Sequence, residues 1–434
     1  MFIIPLDFIP DLLALHVAER RSFPYLLMSD TECGWDILFA LPCEQRLYQT
    51  GEGARFFADL SKVGQNQPSD LPHLPFVGGW FVFLSYELLS DLEPSVPVGC
   101  ADGFPLAALT RVPAAVLVNQ SRHCAYLLAE DNNLGHQLTE LLQVQKPCLA
   151  PLPAITTFYE DPPEVYLDAI HRLKRYIFAG DTFQANISRE WHAEFADIGA
   201  APALFAALRR INPAPFSALA DFGTTQIISA SPERLVSVRD LSGQRTIETR
   251  PIAGTHPRSA DVNEDALLKE RLIHNTKERA EHVMLIDLGR NDLGRICTPG
   301  TIEVNEFMVL TSYAYVHHLE SNIRGRLRSG ILPHEILRAL FPGGTITGCP
   351  KVRSMQIIRE LEQGPRRAYT GSLGYINRDG TMDFNILIRT FMLEGRKLRF
   401  RAGGGIVADS DPERELMETR HKVRGLLRAL GRAG

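Results

Sequence analysis

The chain has 434 residues, 45% hydrophobic and 22% charged, the profile of an ordinary globular protein large enough for one big or two medium domains. A net charge of −5 offers no basic surface for nucleic acid. No apolar run reaches the ~18 residues of a membrane span, and Met1-Phe2-Ile3-Ile4-Pro5 lacks the basic flank of a secretory signal, so a cytoplasmic protein away from membranes is expected.

Residues 1–150 carry short apolar runs broken by Pro and Gly. Runs at 23–28, 35–41, 77–84, 114–118 and 125–128 read as strands. Residues 146–163 hold five prolines and read as a connector. Residues 166–178 place Ile170, Leu173 and Ile177 at helical spacing. A β-rich stretch is expected over 185–252, and one long, charged helix over 263–288. Strands recur at 371–376, 382–393 and 398–407. Residues 412–430 form an amphipathic helix with Asp411 at the N-cap and Pro412 at N1. The mixture lacks a βαβ rhythm, so the expected class is α+β. The expected division is a β-rich region over 1–150, packed on a core over 160–434. Seven dispersed cysteines, none in a C-x-x-C pair, read as reduced thiols. Cys349 has no obvious catalytic partner nearby in sequence.

The last helix sets Glu415, Glu418 and Lys422 on one polar stripe. Alone, this reads as a solvated face with a Glu418–Lys422 pair worth ~0.3–0.5 kcal/mol. The preceding Ala402-Gly403-Gly404-Gly405-Ile406-Val407 changes that reading, because backbone without Cβ atoms lets an anion approach. Two carboxylates and a lysine beside such a run suit an anionic ligand held through Mg²⁺, which prefers oxygen and takes one or two carboxylates. Glu281 offers a third carboxylate. Asp287 and Asp292, in its polar C-terminal turn, read as helix cap and loop. Glu233 follows an apolar strand in Ser231-Pro232-Glu233. Desolvation there would keep it protonated as an acid, whereas an isolated Ser-Pro-Glu is a turn. His317 and His318 lie in a strand-like run. Gly343-Gly344-Thr345-Ile346-Thr347-Gly348-Cys349-Pro350-Lys351 is not a P-loop, because it lacks Gly-Lys-Ser/Thr.

In order, Gly180–Asn186, Ser231–Glu233, Pro251–Thr255, Glu281–Asp292, Val316–Leu319, Phe341–Arg353 and Ala402–Lys422 resemble the chorismate-utilising family, which includes component I of aminodeoxychorismate and anthranilate synthases. The resemblance runs through about 160–430 and is weaker before it. It implies an α+β fold of large antiparallel sheets flanked by helices, with the site between them. It implies Mg²⁺ on Glu281 and Glu418, with Glu415 nearby or joined through water. It implies Glu233 as the acid for the C4 hydroxyl of chorismate, with His318 and Thr255 flanking the ring. Tyr375, Arg389 and Lys422, with the backbone of Gly254, Gly403 and Gly405, would hold the carboxylates. Relatives that add water carry a lysine base where this chain has Gln184, so ammonia is the expected nucleophile. No Cys-His-Glu amidotransferase can be fitted into the chain, which implies a separate glutamine amidotransferase subunit.

The signature Arg250-Pro251-Ile252-Ala253-Gly254-Thr255-His256-Pro257-Arg258-Ser259 carries alanine where aminodeoxychorismate synthases bear a lysine. In those relatives the amine is implied to attack C2 of the ring; Ala253 resembles anthranilate synthases. Leu26-Leu27-Met28-Ser29, Asn212-Pro213-Ala214-Pro215-Phe216-Ser217, the doubled histidine and Gly403-Gly404-Gly405 resemble aminodeoxychorismate synthases instead. The expectation is aminodeoxychorismate synthase component I, whose product goes to a separate lyase. Anthranilate synthase component I is the alternative, and a non-catalytic homologue the third reading.

Overall fold

Apolar runs without polar alternation form strands that are covered on both faces. In the computed structural model, strand Gly79–Leu84 turns Phe81 and Phe83 into a layer between two sheets and Val82 and Leu84 onto helices outside. The structure describes residues 1–30, 34–64, 71, 73–97, 102–144, 147–241, 243–259, 261–312 and 316–432.

Among these residues the first sheet has twelve strands, in the order Phe2–Leu6, Cys124–Ala129, Ala114–Asn119, Asp36–Ala40, Tyr25–Met28, Phe216–Asp221, Thr225–Ser231, Thr390–Glu394, Lys397–Ile406, Gln184–Phe195, Gly348–Cys349, with Ile155–Glu160 beside Gln184–Phe195. The second has ten: Ile252–Pro257, Val316–Arg326, Gln244–Arg250, Arg234–Leu241, Met382–Asn385, Ser372–Asn377, Gly79–Leu84, Ala107–Val112, Glu44–Tyr48, with Glu303–Ser312 beside Val316–Arg326. The pairings between these strands are antiparallel, as an α+β chain without βαβ units requires. The first 150 residues give strands to both sheets: Met28 lies opposite Ser217, and Phe81 opposite Tyr375.

The layer between the sheets is aromatic. Tyr25 stacks on Phe81 at 4.0 Å, and Phe39 and Phe76 meet edge to face. Such pairs contribute ~0.5–1.5 kcal/mol each beyond their area burial. Helices Ala201–Ile211 and Pro412–Ala429 cover the first sheet; Thr276–Gly294 and Pro333–Leu340 cover the second. No described helix is long and apolar enough to cross a membrane.

Several elements differ from the sequence reading. The β-rich stretch contains helix Ala201–Ile211, which buries Leu204, Phe205 and Leu208. The first 150 residues contain helices Leu12–Ala18, Gly53–Leu60 and Asn132–Leu142. The connector holds edge strand Ile155–Glu160. The long helix is two, Val262–His274 and Thr276–Gly294. Extended Asn275 breaks it and accepts from Glu278 N–H at 3.3 Å, as an N-cap does. The second helix runs through Gly289–Asp292, where a cap and loop were expected. The run 382–393 is split between the two sheets. The last helix spans Pro412–Ala429, and Asp411 Oδ1 accepts from Arg414 N–H at 2.9 Å.

Candidate active site

The site grows from two places where the chain leaves one sheet for the other. Thr225–Ser231 belongs to the first sheet and Arg234–Leu241 to the second, so Glu233 lies on the crossing. The return crossing, from Met382–Asn385 to Thr390–Glu394, carries Arg389. The two run side by side. Ile386 N–H donates to the Glu233 carbonyl at 3.0 Å, and Ala230 N–H donates to the Arg389 carbonyl at 3.1 Å. Arg389 has φ 52°, a left-handed conformation that costs roughly 1–3 kcal/mol unless its surroundings impose it.

Glu233 is 4% exposed. Burial pushes its pKa up to about 7; the Glu320 charge adds to the rise, while Thr345, the Ile252 N–H and Arg389 oppose it. Its Oε1 is buried with no hydrogen-bond partner among the described residues. Glu233 borders a cavity of about 30 Å³ shared with Gly343, Gly344, Thr345 and Leu285, room enough for a water molecule. A carboxyl in this setting holds a proton near neutral pH and can release it to a reacting group.

The doubled histidine divides its work. His317 is fully buried; its Nε2 lies 2.9 Å from Asp265 and its Nδ1 2.8 Å from the Ser312 hydroxyl, which ties strand to helix. His318 points elsewhere. Burial drives its pKa down to about 3, and the charges of Arg389 and Lys422 push the same way, against the backbone at Gly254. His318 is therefore a neutral imidazole near both cations. Gly254 sits at a bulge with φ 77°, where a Cβ would stand 3.0 Å from Leu272 and 3.1 Å from Glu278. Ala253, 7% exposed, pairs with Leu319 one residue from both the Glu233 and the His318 contacts. The Thr255 backbone pairs with His318; its side chain lies outside the described residues.

The glycine strand Lys397–Ile406 separates the expected carboxylates. A Cβ on Gly405 would stand 3.1 Å from Glu281 Oε1; one on Gly404 would stand 3.1 Å from Glu415 Oε2. Successive strand positions face opposite sides, so Glu415 lies across the strand from Glu281. It is 8% exposed and accepts from the Ser410 hydroxyl at 2.7 Å. That placement departs from the expected trio. Glu418 is half exposed and pairs with Lys422 at 2.7 Å, while Lys422 also donates to the Gly403 carbonyl at 3.0 Å. No group of three or more His, Cys, Asp or Glu side chains is placed to hold a metal among the described residues. Two hard carboxylates, Glu281 beside the Gly405 gap and Glu418, still suit Mg²⁺, which needs only one or two with water completing its shell. Asp287 pairs with Arg290 at 3.1 Å at the surface, and buried Asp292 pairs with Lys351 at 2.6 Å. A wider cavity of about 470 Å³, lined by charged residues around Glu394–Lys397, contains none of these groups.

The sequence pattern of chorismate binding enzymes matches residues 23–428. The chain belongs to the chorismate-binding enzyme family. It is 38% identical over 404 residues to anthranilate synthase component 1 of Synechocystis, covering 84% of this chain and 78% of that one. It is 36% identical over 404 residues to aminodeoxychorismate synthase component 1 of Bacillus subtilis, covering 89% and 84%. Its fold is similar to crystalline anthranilate synthase component I from Streptococcus pneumoniae, with TM-score 0.79, 29% identity and 92% and 93% coverage.

In this chorismate-binding enzyme, Tyr375 lies within the electrostatic reach of Asp383, Arg239 and Arg234. It sits in the aromatic layer 6.0 Å from Phe39 and 5.8 Å from Phe76. Strand alternation sends Tyr375 between the sheets and its neighbours Gly374 and Ile376 the other way. Buried Tyr369 instead lies within the electrostatic reach of Lys422 and Arg401. It follows Arg366, a fully buried cation that the sequence reading missed. Arg366 pairs with Glu362 at 2.7 Å, donates to the carbonyls of Asn186 and Ile346 at 2.6 and 3.0 Å, and stacks over Tyr86. The only sequence signal was the compact Arg366-Arg367-Ala368-Tyr369-Thr370-Gly371.

Proposed function

We propose that the protein is component I of an aminodeoxychorismate synthase, which converts chorismate and ammonia to 4-amino-4-deoxychorismate for 4-aminobenzoate and folate synthesis. One contact carries this reading over its alternative. Leu26-Leu27-Met28-Ser29 and Phe216-Ser217 lie on adjacent strands, Met28 opposite Ser217. The resemblance implies Leu-Leu-Glu-Ser, where feedback tryptophan binds, and Asn-Pro-Ser-Pro-Tyr-Met in anthranilate synthases, and this chain departs from both. The Arg234 guanidinium covers the Phe216 ring at 5.1 Å and is held by Asp383 at 2.9 Å. These two departures, side by side on one sheet, support the first reading. Ala253 favours the second reading, anthranilate synthase component I.

Glu233 gives its proton to the C4 hydroxyl as the C–O bond breaks, so the group leaves as water. Ammonia forms the new C–N bond and sheds its surplus proton to solvent. Gln184 has no titratable group, which suits a nucleophile that needs no base. Arg389 and Lys422 hold the substrate carboxylates, Arg389 through two parallel N–H bonds. Neutral His318 flanks the ring without adding charge. Ala253 has no nucleophile, so water or ammonia adds at C2 as the C4 hydroxyl leaves, and that C2 group departs with its bonding pair as water or ammonia, taking back a proton, when ammonia bonds to C4. Mg²⁺ on Glu281 and Glu418 supplies Lewis-acid polarisation when bound. A glutamine amidotransferase subunit supplies the ammonia, and an aminodeoxychorismate lyase acts on the product.

The test incubates the chain with chorismate, ammonium and Mg²⁺ and identifies the product. The 4-amino product keeps its enolpyruvyl group and gives 4-aminobenzoate only after the lyase is added. Fluorescent anthranilate released with pyruvate decides for the second reading.

A further inference from the structure

Gln184 opens the strand Gln184–Phe195 and is 3% exposed. Its Nε2 donates to Glu281 Oε1 at 2.6 Å. An ionised carboxylate only accepts, so the chemistry fixes the amide orientation, with NH₂ toward Glu281 and the carbonyl turned away. The contact needs the space at position 405. A Cβ on Gly405 would stand 2.0 Å from Gln184 Nε2, closer than any real contact. The base of the side chain is equally fixed. The Thr182 and Ser354 hydroxyls donate to the Gln184 carbonyl at 2.9 and 3.1 Å, and the strand pairs with Cys349 there. Glu281 comes from a helix that covers the other sheet, so this bond spans the gap between the two walls of the site.

We infer that Gln184 is a positioning residue for Glu281. Its amide holds one carboxylate oxygen, which fixes the orientation of a side chain with several rotatable bonds. Gly405 is the space that permits it. The inference rests on the metal reading above and adds a neutral orienting partner to it. A neutral donor orients the carboxylate without competing for its charge. Loss of such a partner typically costs ~10–100-fold in metal affinity.

The probe is Mn²⁺ in place of Mg²⁺. Free Mn²⁺ is followed by electron paramagnetic resonance in titrations of the full chain, alone and with chorismate while ammonium is withheld. Gln184→Met keeps the length of the side chain and removes the donor; Gly405→Ala removes the space. Both are expected to weaken Mn²⁺ binding ~10–100-fold, with melting temperatures in metal-free buffer unchanged for Gln184→Met. Glu281→Gln is the reference and should weaken binding at least as much. Should Glu281→Gln lose affinity while Gln184→Met binds like the parent, the positioning role is overturned and the metal reading stands. If Glu281→Gln itself binds like the parent, both fall together.

Discussion

Replacing Glu233 with Gln removes the proton donor at nearly constant shape, and two independent quantities should move in opposite directions. Loss of a positioned general acid typically costs ~10²–10⁴-fold in rate. Stability should move the other way. The folded pKa of about 7 lies above the ordinary carboxylate value because burial disfavours the charged form. Below the unfolded pKa both states are protonated and burial carries no penalty. As pH rises past it, the unfolded chain ionises first, and the folded state loses relative stability until its own carboxyl ionises near pH 7. A gap of about 2.5 units corresponds to roughly 3 kcal/mol, fully developed above pH 7. Glu233→Gln escapes this cost. It should match the parent at pH 4 and melt a few degrees higher at pH 8, since unfolding entropy scales with ~2.1 cal/mol/K per residue. Melting curves at the two pH values, with turnover at saturating chorismate, test both halves. A variant that is slow but no more stable at pH 8 would show that Glu233 is not the desolvated group described here. The parent's rate should also fall on the alkaline side of about pH 7 once corrected for free ammonia, and Glu233→Gln should lose that limb.

The other expectations are simpler to read. Tyr369→Phe should raise KM for chorismate about tenfold, the value of one hydrogen bond to a charged group, whereas Tyr375→Phe should leave KM unchanged. Glu418→Gln, or excess chelator, should cost at least ~10-fold in turnover; full activity in both would remove the metal from the mechanism. The pure chain should use ammonium, faster as pH raises the free amine until Glu233 ionises, and should not use glutamine; glutamine-dependent turnover would refute the need for a second subunit. Ala253→Lys, given chorismate and Mg²⁺ but no ammonium, should form an adduct of ligand mass, visible in an intact-mass spectrum, if desolvation leaves some of the amine neutral. A clean unmodified mass would mean that position 253 does not face C2.

The sequence made the site legible where a residue type can do only one thing. A glycine run admits close backbone approach, and a carboxylate behind an apolar strand is a candidate for desolvation; Gly405 and Glu233 occupy those settings. It was silent where a side chain's direction depends on a partner strand. Tyr375 and Tyr369 are six residues apart, and both stand near glycines. Only the alternation of Ser372–Asn377 sends Tyr375 into the aromatic layer, and only the positive φ at Arg367 and Thr370, 55° and 61°, turns the chain around Tyr369. Non-glycine residues in that conformation leave no compositional trace. The same holds for the helices missed in the first half. Leu12–Ala18 and Gly53–Leu60 are seven and eight residues long, too short for helical periodicity to stand out from the strand-like runs around them.

Ala253 deserves a structural answer as well as a chemical one. It is 7% exposed and pairs with Leu319, while the next residue, Gly254, bulges with its Cβ direction closed by Leu272 and Glu278. A bulge re-aims its neighbours, so the direction of position 253 is set by Gly254 rather than by its own identity. Gly254→Ala would force a positive φ and a contact 3.0 Å from Leu272, straightening the bulge and turning both Ala253 and the Thr255 backbone opposite His318. That change should raise KM for chorismate with Glu233 and the metal carboxylates intact. Any covalent adduct formed by Ala253→Lys should be lost in the Ala253→Lys, Gly254→Ala double variant. Persistence of the adduct would mean that the lysine finds C2 by its own flexibility, and that the bulge is not what aims this turn.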